Sequence, residues 1–362
     1  MTRIGIIGAG QLGQMLGYAG RALGLECVFL DPSDNPPAAS AGPVLRYAFD
    51  SEDGLNKLAA DVDVITYEFE NVPVEAVRNL PEATKVYPPP QALEVAQDRL
   101  SEKTLFEKLG IPVPGFRAID SAEDLHAACD VLGLPIVLKT RRLGYDGKGQ
   151  RIVEKRSEVE SAVAELGGAD LIAEQWVPFD FEVSAIGARS VSGEIAHYPL
   201  SRNEHQGGIL HISRAPAEHE TLQATAIQFL EGLMLELDYV GVLALELFVK
   251  DDALLANEFA PRVHNSGHWT IEGAATSQFE NHLRAILDMP PGPTDTPAPA
   301  GMLNLIGTMP EDRAPFETPP CTLHDYGKAP RPGRKLGHVT VVANDPGERD
   351  KILENLAKSL NP

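Results

Sequence analysis

Short apolar runs alternate with amphipathic stretches through the first hundred residues. RIGIIG (3–8) reads as a buried strand, the glycine-spaced stretch after it as a tight turn, and the segment to about Leu23 as a helix. ECVFLD (26–31) and VDVITYEFE (62–70) read as further strands. Strands that alternate with helical patterns predict a parallel α/β sheet. YPPPQ (87–91) breaks the pattern, and a helix is expected from about Ala92. Beyond it, PIVLK (135–139), QRIVEK (150–155) and DLIAEQWV (170–177) read as strands around glycine-rich loops. FEVSAIGARS and EIAHYPLSRN continue in antiparallel style. The Pro-rich MPPGPTDTPAPAG (289–301) excludes helix and reads as a linker or a wrapping loop. A small β-rich tail follows, with MLNLIGT and GHVTVVA as its clearest strands.

The most informative pattern lies between Leu243 and His268. Two apolar runs, VGVLALELFV and ALLANEF, flank a Lys-Asp-Asp break, which predicts a hairpin folded near Asp252. That register sets Glu246 across from Glu258, with Cβ atoms roughly 5 Å apart. Two carboxylates held so close in apolar strands repel unless a cation sits between them. Mg²⁺ carrying a polyphosphate meets that need, because it takes one or two carboxylates plus phosphate oxygens. Immediately downstream, Arg262, His264 and Asn265 supply a fixed cation, a titratable ring and an amide.

Two glycine-rich turns compete to explain phosphate binding. The N-terminal GAGQLG follows a strand and opens a helix, and Asp31 ends the next strand, as a dinucleotide fingerprint requires. The same glycines also suit a turn whose N–H groups hold some other phosphate. The second turn follows Lys139: Gly144, Gly147 and Gly149 allow close backbone approach, and Lys148 adds charge, but no Walker pattern is present. Glu174-Gln175-Trp176-Val177 then offers a strand end for an adenine edge, and Glu182 is spaced to accept from ribose hydroxyls.

Charge narrows the partners. The 31 basic against 52 acidic residues give a net charge of −21, which argues against nucleic acid and anionic membranes, since both reward basic surfaces. Within this acidic chain YGKAPRPGRKLGH (326–338) concentrates Lys328, Arg331, Arg334 and Lys335. Cys27, Cys129 and Cys321 match no metal or redox spacing and suit a reducing cytoplasm. No run approaches the ~18 apolar residues of a membrane span, so a cytoplasmic protein is expected.

The order of Lys139, glycine loop, hinge strand, Glu182 and paired acids resembles the ATP-grasp superfamily. GAGQLGQM, YEFENVP (67–73), QDRLSEK (97–103), GYDGKGQ (144–150), NEFAPRVHNSGHWT (257–270) and the basic tail resemble one family within it, the N5-carboxyaminoimidazole ribonucleotide synthetases. The resemblance implies an α/β (α+β) chain: a Rossmann-like parallel-sheet domain at 1–97, an ATP-grasp domain at 98–292 with its lid at about 115–180, and a small β-rich domain at 293–362. It implies an ATP-dependent ligase that carboxylates aminoimidazole ribonucleotide with bicarbonate through carboxyphosphate, in de novo purine synthesis, as a homodimer using Mg²⁺ (Mn²⁺ possible).

The resemblance further implies site residues. ATP is expected on Arg99 and Lys139, under Gly144, Tyr145, Asp146, Gly147, Lys148, Gly149 and Gln150, with Glu174, Gln175, Trp176 and Val177 at the adenine, Glu182 at the ribose, and His205 close by. Glu246 and Glu258 are the expected metal ligands, assisted by Asn257, whose inclusion requires a kink because strict alternation turns it away from Glu258. The ribonucleotide is expected against Gln11, Leu12, Glu68, Tyr145, Asp146 and Asn265, its 5′-phosphate on Lys328 and Lys335 with Arg334 as alternative. Arg262 and His264 face bicarbonate, and Asp146 is the expected proton acceptor. His197, His211 and His268 receive no role. Where the family often carries glycine before GYDG, this chain has Leu143, which restricts the lid's backbone. The competing readings are another ATP-grasp ligase (of glycinamide ribonucleotide synthetase or formate-dependent transformylase type) and an NAD-linked oxidoreductase.

Overall fold

The computed structural model describes residues 2–144, 148–168, 170–217 and 219–360. Its N-terminal layer is a four-stranded parallel sheet in the order Val44–Leu45, Glu26–Leu30, Arg3–Ile7, Val64–Tyr67. Ile4, Ile6, Phe29 and Ile65 are buried on its two faces, as expected when helices cover a parallel sheet. The strand expected over 62–70 stops at Tyr67. Glu68 and Glu70 therefore lie beyond its carboxyl end, where parallel α/β sheets bind ligands.

A second sheet is antiparallel: Phe116–Ile119, Leu171–Gln175, Ile136–Thr140, Gln150–Val153. Helices Ala122–Leu132 and Val159–Glu165 close a small core of its own around Leu125, Leu138 and Ala173. This unit carries the loop that begins at Gly144.

The largest sheet has nine strands. Its edge is the expected hairpin, Gly241–Lys250 and Ala253–Ala260, turning at Asp251 and Asp252, both with positive φ. Phe181–Arg189 pairs on the hairpin's inner side, followed by Ser201–Gln206 and Ile209–Ala215. The sheet then runs without a break into Ala300–Ile306, Lys335–Val342 and Cys321–Asp325. The tail's strands thus extend the central sheet instead of forming a detached one. They are backed by a helix, Pro346–Leu360, that the strand-dominated expectation for this segment omitted; Leu353 and Leu356 bury its inner face. The Pro-rich segment wraps: Gly292 N–H donates to Asn281 Oδ1 at 2.8 Å and Thr294 Oγ1 to the His197 carbonyl at 2.6 Å.

Candidate active site

All three sheets contribute to a cleft of about 1050 Å³, large against the ~300–1,000 Å³ of ordinary ligand sites. Every described residue that the sequence nominates lines it, apart from Gly149. Tyr145, Asp146 and Gly147 lie outside the described residues.

The hairpin places Glu246 directly opposite Glu258, and a β-bulge follows: Leu247 pairs with Ala256, leaving Asn257 as the extra residue. A bulge re-aims side chains by breaking the period of two. Here it leaves both Asn257 and Glu258 half-buried on the cleft side, while Ala256 and Phe259 stay in the core. The kink that Asn257 required is therefore a bulge at that residue. Glu258 accepts from Arg99 Nη1 at 2.8 Å, and Glu246 pairs with His264 Nε2 at 3.1 Å. Burial pushes the Glu246 carboxyl up, but His264, His205 and Arg262 outweigh it and hold it below the usual carboxylate range. Asn257 Oδ1 is buried with no hydrogen-bond partner among the described residues. Two carboxylates and one orphaned amide oxygen suit a hard divalent cation. No group of three His, Cys, Asp or Glu able to hold a metal occurs among the described residues.

The end expected to take the nucleotide is built on buried charge. Lys139 Nζ donates to Glu174 Oε2 at 2.9 Å, and Lys103 Nζ stands 3.5 Å from the same oxygen. Burial pushes Glu174 up, yet the two ammonium groups outweigh it and hold its carboxyl at about 2. The Glu174 side chain is thus committed to the lysines, and its backbone is paired on both sides by strands 116–119 and 136–140. Gln175 and Trp176 N–H groups are also taken, by the Gly115 and Pro135 carbonyls. Val177 is the first position of this stretch whose N–H has no partner among the described residues. Phe179 and Phe248 stack beside it with centroids 4.8 Å apart. Glu182 accepts from His205 Nδ1 at 2.7 Å. At the loop, Leu143 has φ +62° and is 74% exposed. Left-handed backbone favours glycine, which explains why glycine suits this position.

The opposite end settles the first glycine turn. Glu68 accepts from Gly10 N–H at 2.5 Å and Gly13 N–H at 2.7 Å, and Asp31 from Ala9 N–H at 3.0 Å. The donors a dinucleotide pyrophosphate would use are already given to carboxylates, and a Cβ at Gly10 would lie 2.5 Å from Glu68 Oε1. Burial raises the Glu68 carboxyl above its ordinary range. Lys328 Nζ donates to Gln11 Oε1, bringing the basic tail onto this turn. Arg334 Nη1 donates to the Ala329 carbonyl at 3.1 Å, and Lys335 and Arg331 complete a cationic wall. Burial and the neighbouring Arg334 push the Lys328 ammonium down to about 8. Leu12 packs below.

Arg262 lies between the ends, bound through Nε to Glu70, with Glu246 and Glu258 near enough to raise its pKa further against burial. His264 Nδ1 contacts Ser266 Oγ at 2.8 Å. Asn265 reaches the cleft wall, but its amide exchanges hydrogen bonds with Asn304 at 2.7 and 3.1 Å. That pairing leaves it holding the loop. His268 is fully buried, His211 nearly so, and His197 faces Glu231 at 3.2 Å. Reasoning from sequence left Glu102, Lys103, Glu70 and Asn304 without roles. The first three stand in the motifs QDRLSEK and YEFENVP; Asn304 carried no signal in a strand pattern.

Three family models match the chain in order: the ribonucleotide synthetase preATP-grasp domain over residues 1–97, the ATP-grasp domain over 104–279, and the phosphoribosylaminoimidazole carboxylase C-terminal domain over 300–351. The chain is 49% identical to the N5-carboxyaminoimidazole ribonucleotide synthase of Pseudomonas aeruginosa, over 95% of each chain. Its fold is similar to the N5-carboxyaminoimidazole ribonucleotide synthetase from Thermus thermophilus, with a TM-score of 0.95 at 49% identity over 99% of both chains. It is also similar to the carboxyaminoimidazole ribonucleotide synthase of Aspergillus clavatus in complex with ADP and 5-aminoimidazole ribonucleotide, with a TM-score of 0.91 at 30% identity over 99% of this chain and 98% of that one.

Proposed function

This chain belongs to the N5-carboxyaminoimidazole ribonucleotide synthase family, and from that premise we propose how its cleft divides the work. It is an ATP-dependent carbon–nitrogen ligase of the ATP-grasp fold. It converts 5-aminoimidazole ribonucleotide, ATP and bicarbonate into N5-carboxyaminoimidazole ribonucleotide, ADP and phosphate in purine biosynthesis. Residues 1–97, 98–292 and 293–362 serve as its working units.

Bicarbonate is a poor electrophile, so one of its oxygens first attacks the γ-phosphorus of ATP and forms carboxyphosphate. The substrate amine then takes the carboxyl group, and phosphate leaves with the oxygen that bicarbonate supplied. Phosphoryl transfer is governed by positioning and charge neutralisation, and the cleft is rich in fixed cations. Arg99, Lys139 and Lys148 hold the polyphosphate, with Gly144 and Gln150 at the bounds of the covering loop. Val177 meets the adenine edge, and Glu182, oriented by His205, accepts from the ribose. Glu246, Asn257 and Glu258 hold Mg²⁺ or Mn²⁺, which when bound neutralises charge on the phosphate oxygens. Arg262, fixed by Glu70, and His264, fixed by Ser266 and Glu246, face bicarbonate. Gln11, Leu12 and Glu68 receive the ribonucleotide, and Lys328, Arg334 and Lys335 its 5′-phosphate.

The observation that carries this reading is one continuous cleft with cationic groups at both ends, Arg99 and Lys139 at one and the basic tail at the other, and Arg262 between. One site for ATP alone needs only the first. A homodimer in the cytoplasm completes the reading; its supports are the family, the free buried cysteines and the lack, among the described residues, of a helix long and apolar enough to cross a membrane. The test is ¹⁸O transfer. Turnover with ¹⁸O-labelled bicarbonate is expected to deliver one labelled oxygen to phosphate, and unlabelled phosphate would sink the carboxyphosphate route.

A further inference from the structure

The helix Arg99–Lys108 does more than deliver Arg99. Its next two acid and base side chains are buried, Glu102 at 2% exposure and Lys103 at 0%, where charged groups rarely stand without a purpose for their pairing. Both reach the hairpin strand Ala253–Ala260, which is the open edge of the nine-stranded sheet. Lys103 Nζ donates to the Asn257 carbonyl at 2.6 Å and the Ala256 carbonyl at 3.3 Å. Glu102 Oε1 accepts from Phe259 N–H at 2.7 Å. Ala256 N–H donates to the Pro112 carbonyl at 2.7 Å, just beyond the helix.

These backbone groups bracket the extra residue of the bulge. A bulge leaves backbone groups out of the ladder, and buried ones must find other partners. Here the partners come from the helix. Arg99, one turn earlier, holds the Glu258 carboxylate at 2.8 Å. The helix therefore grips the strand at 256, 257, 258 and 259, the four positions over which the period of two is broken. Regular pairing would turn Asn257 to the core side.

We propose that Glu102 and Lys103 are positioning residues: they hold the bulge at Asn257 and so set the divalent-cation affinity of the nucleotide site. The inference rests on the reading of Glu246, Asn257 and Glu258 as the metal shelf. Its alternative is a purely structural role for the two buried side chains, which predicts lost stability with no selective effect on metal.

The experiment titrates Mn²⁺ into the ADP complex and follows free Mn²⁺ by electron paramagnetic resonance, with metal-free ADP affinity and Tm measured alongside. Glu102→Ala is expected to weaken Mn²⁺ by roughly 10–100-fold, the range for residues that orient metal ligands, with metal-free ADP affinity unchanged. Glu102→Gln keeps an oxygen for Phe259 N–H and is expected to bind Mn²⁺ as the wild type does. Wild-type Mn²⁺ affinity in Glu102→Ala, or an equal loss in Glu102→Gln, overturns the proposal. If Glu102→Ala does not fold, Lys103→Met reads the same bulge from its carbonyl side: a loss of the same order supports the proposal and unchanged affinity overturns it. Failure of the wild-type ADP complex to take up Mn²⁺ would instead remove the shelf reading beneath it.

Discussion

His264 Nε2 stands 3.1 Å from Glu246 Oε1, so the imidazole assigned to bicarbonate and a carboxylate assigned to the metal form one contact. In the proposed division of the cleft, the reacting anion and the metal are served by adjoining groups, and Arg262 on the same wall is raised against burial by Glu70 first and by Glu246 and Glu258 after it.

The Glu258 side chain is more open to solvent than that of Glu246, 38% against 14% exposed, which makes it a clean substitution. Glu258→Gln is expected to lower the rate of ADP release by about 10²-fold or more, the scale on which a lost transition-state electrostatic group acts. The Tm should hardly move. Full turnover in this variant removes Glu258 from the metal set.

Lys328 titrates near 8 because burial and Arg334 disfavour its charge. Phosphate needs the ammonium form, so KM for aminoimidazole ribonucleotide should rise as pH passes about 8. The value of kcat should hold, since bound phosphate restores the proton. Lys328→Met is expected to raise that KM about 10–100-fold, from the ~1.5–3 kcal/mol of a hydrogen bond to a charged group, and to flatten its rise with pH. A KM that keeps its pH profile in the variant assigns the titration elsewhere.

Glu174 has a folded pKa of about 2 against an ordinary 4.5. A depressed carboxyl contributes stability above its unfolded pKa and loses it as pH falls through the folded one. Glu174→Gln leaves Lys103 and Lys139 facing each other without their acid and is expected to cost about 3–5 kcal/mol at neutral pH. In denaturant titrations the gap to wild type should narrow between pH 4.5 and pH 2. A gap that stays constant over that interval contradicts the assignment.

Much of this was legible because it rests on local periodicity. The Glu246–Glu258 register follows from alternation along two runs joined by a short turn, and the parallel sheet from strands spaced by helices. What was hidden depends on distant partners. The bulge at Asn257 is gripped by side chains 154 to 157 positions earlier. The GAGQLG turn fits a dinucleotide fingerprint when taken alone, and nothing local shows that its N–H groups are held by Glu68, 55 to 58 residues away. The pairing of Asn265 with Asn304 was hidden because nothing in the chain links two positions 39 residues apart. The C-terminal helix was hidden by the two strands before it.

The carboxylate on that turn makes its own prediction. NADH at micromolar concentration should give no saturable fluorescence change, because Glu68 occupies the donors that pyrophosphate needs. A tight, saturable signal would reopen the oxidoreductase reading.

The central claim is that one cleft couples three substrates, and an omission assay tests it most directly. ADP release is measured with ATP, bicarbonate and aminoimidazole ribonucleotide together, then with each left out. The cleft predicts release only with all three, and neither glycine nor formate replacing the missing partner. ADP release that is indifferent to the ribonucleotide would contradict it and leave an ATPase with an unexplained basic wall.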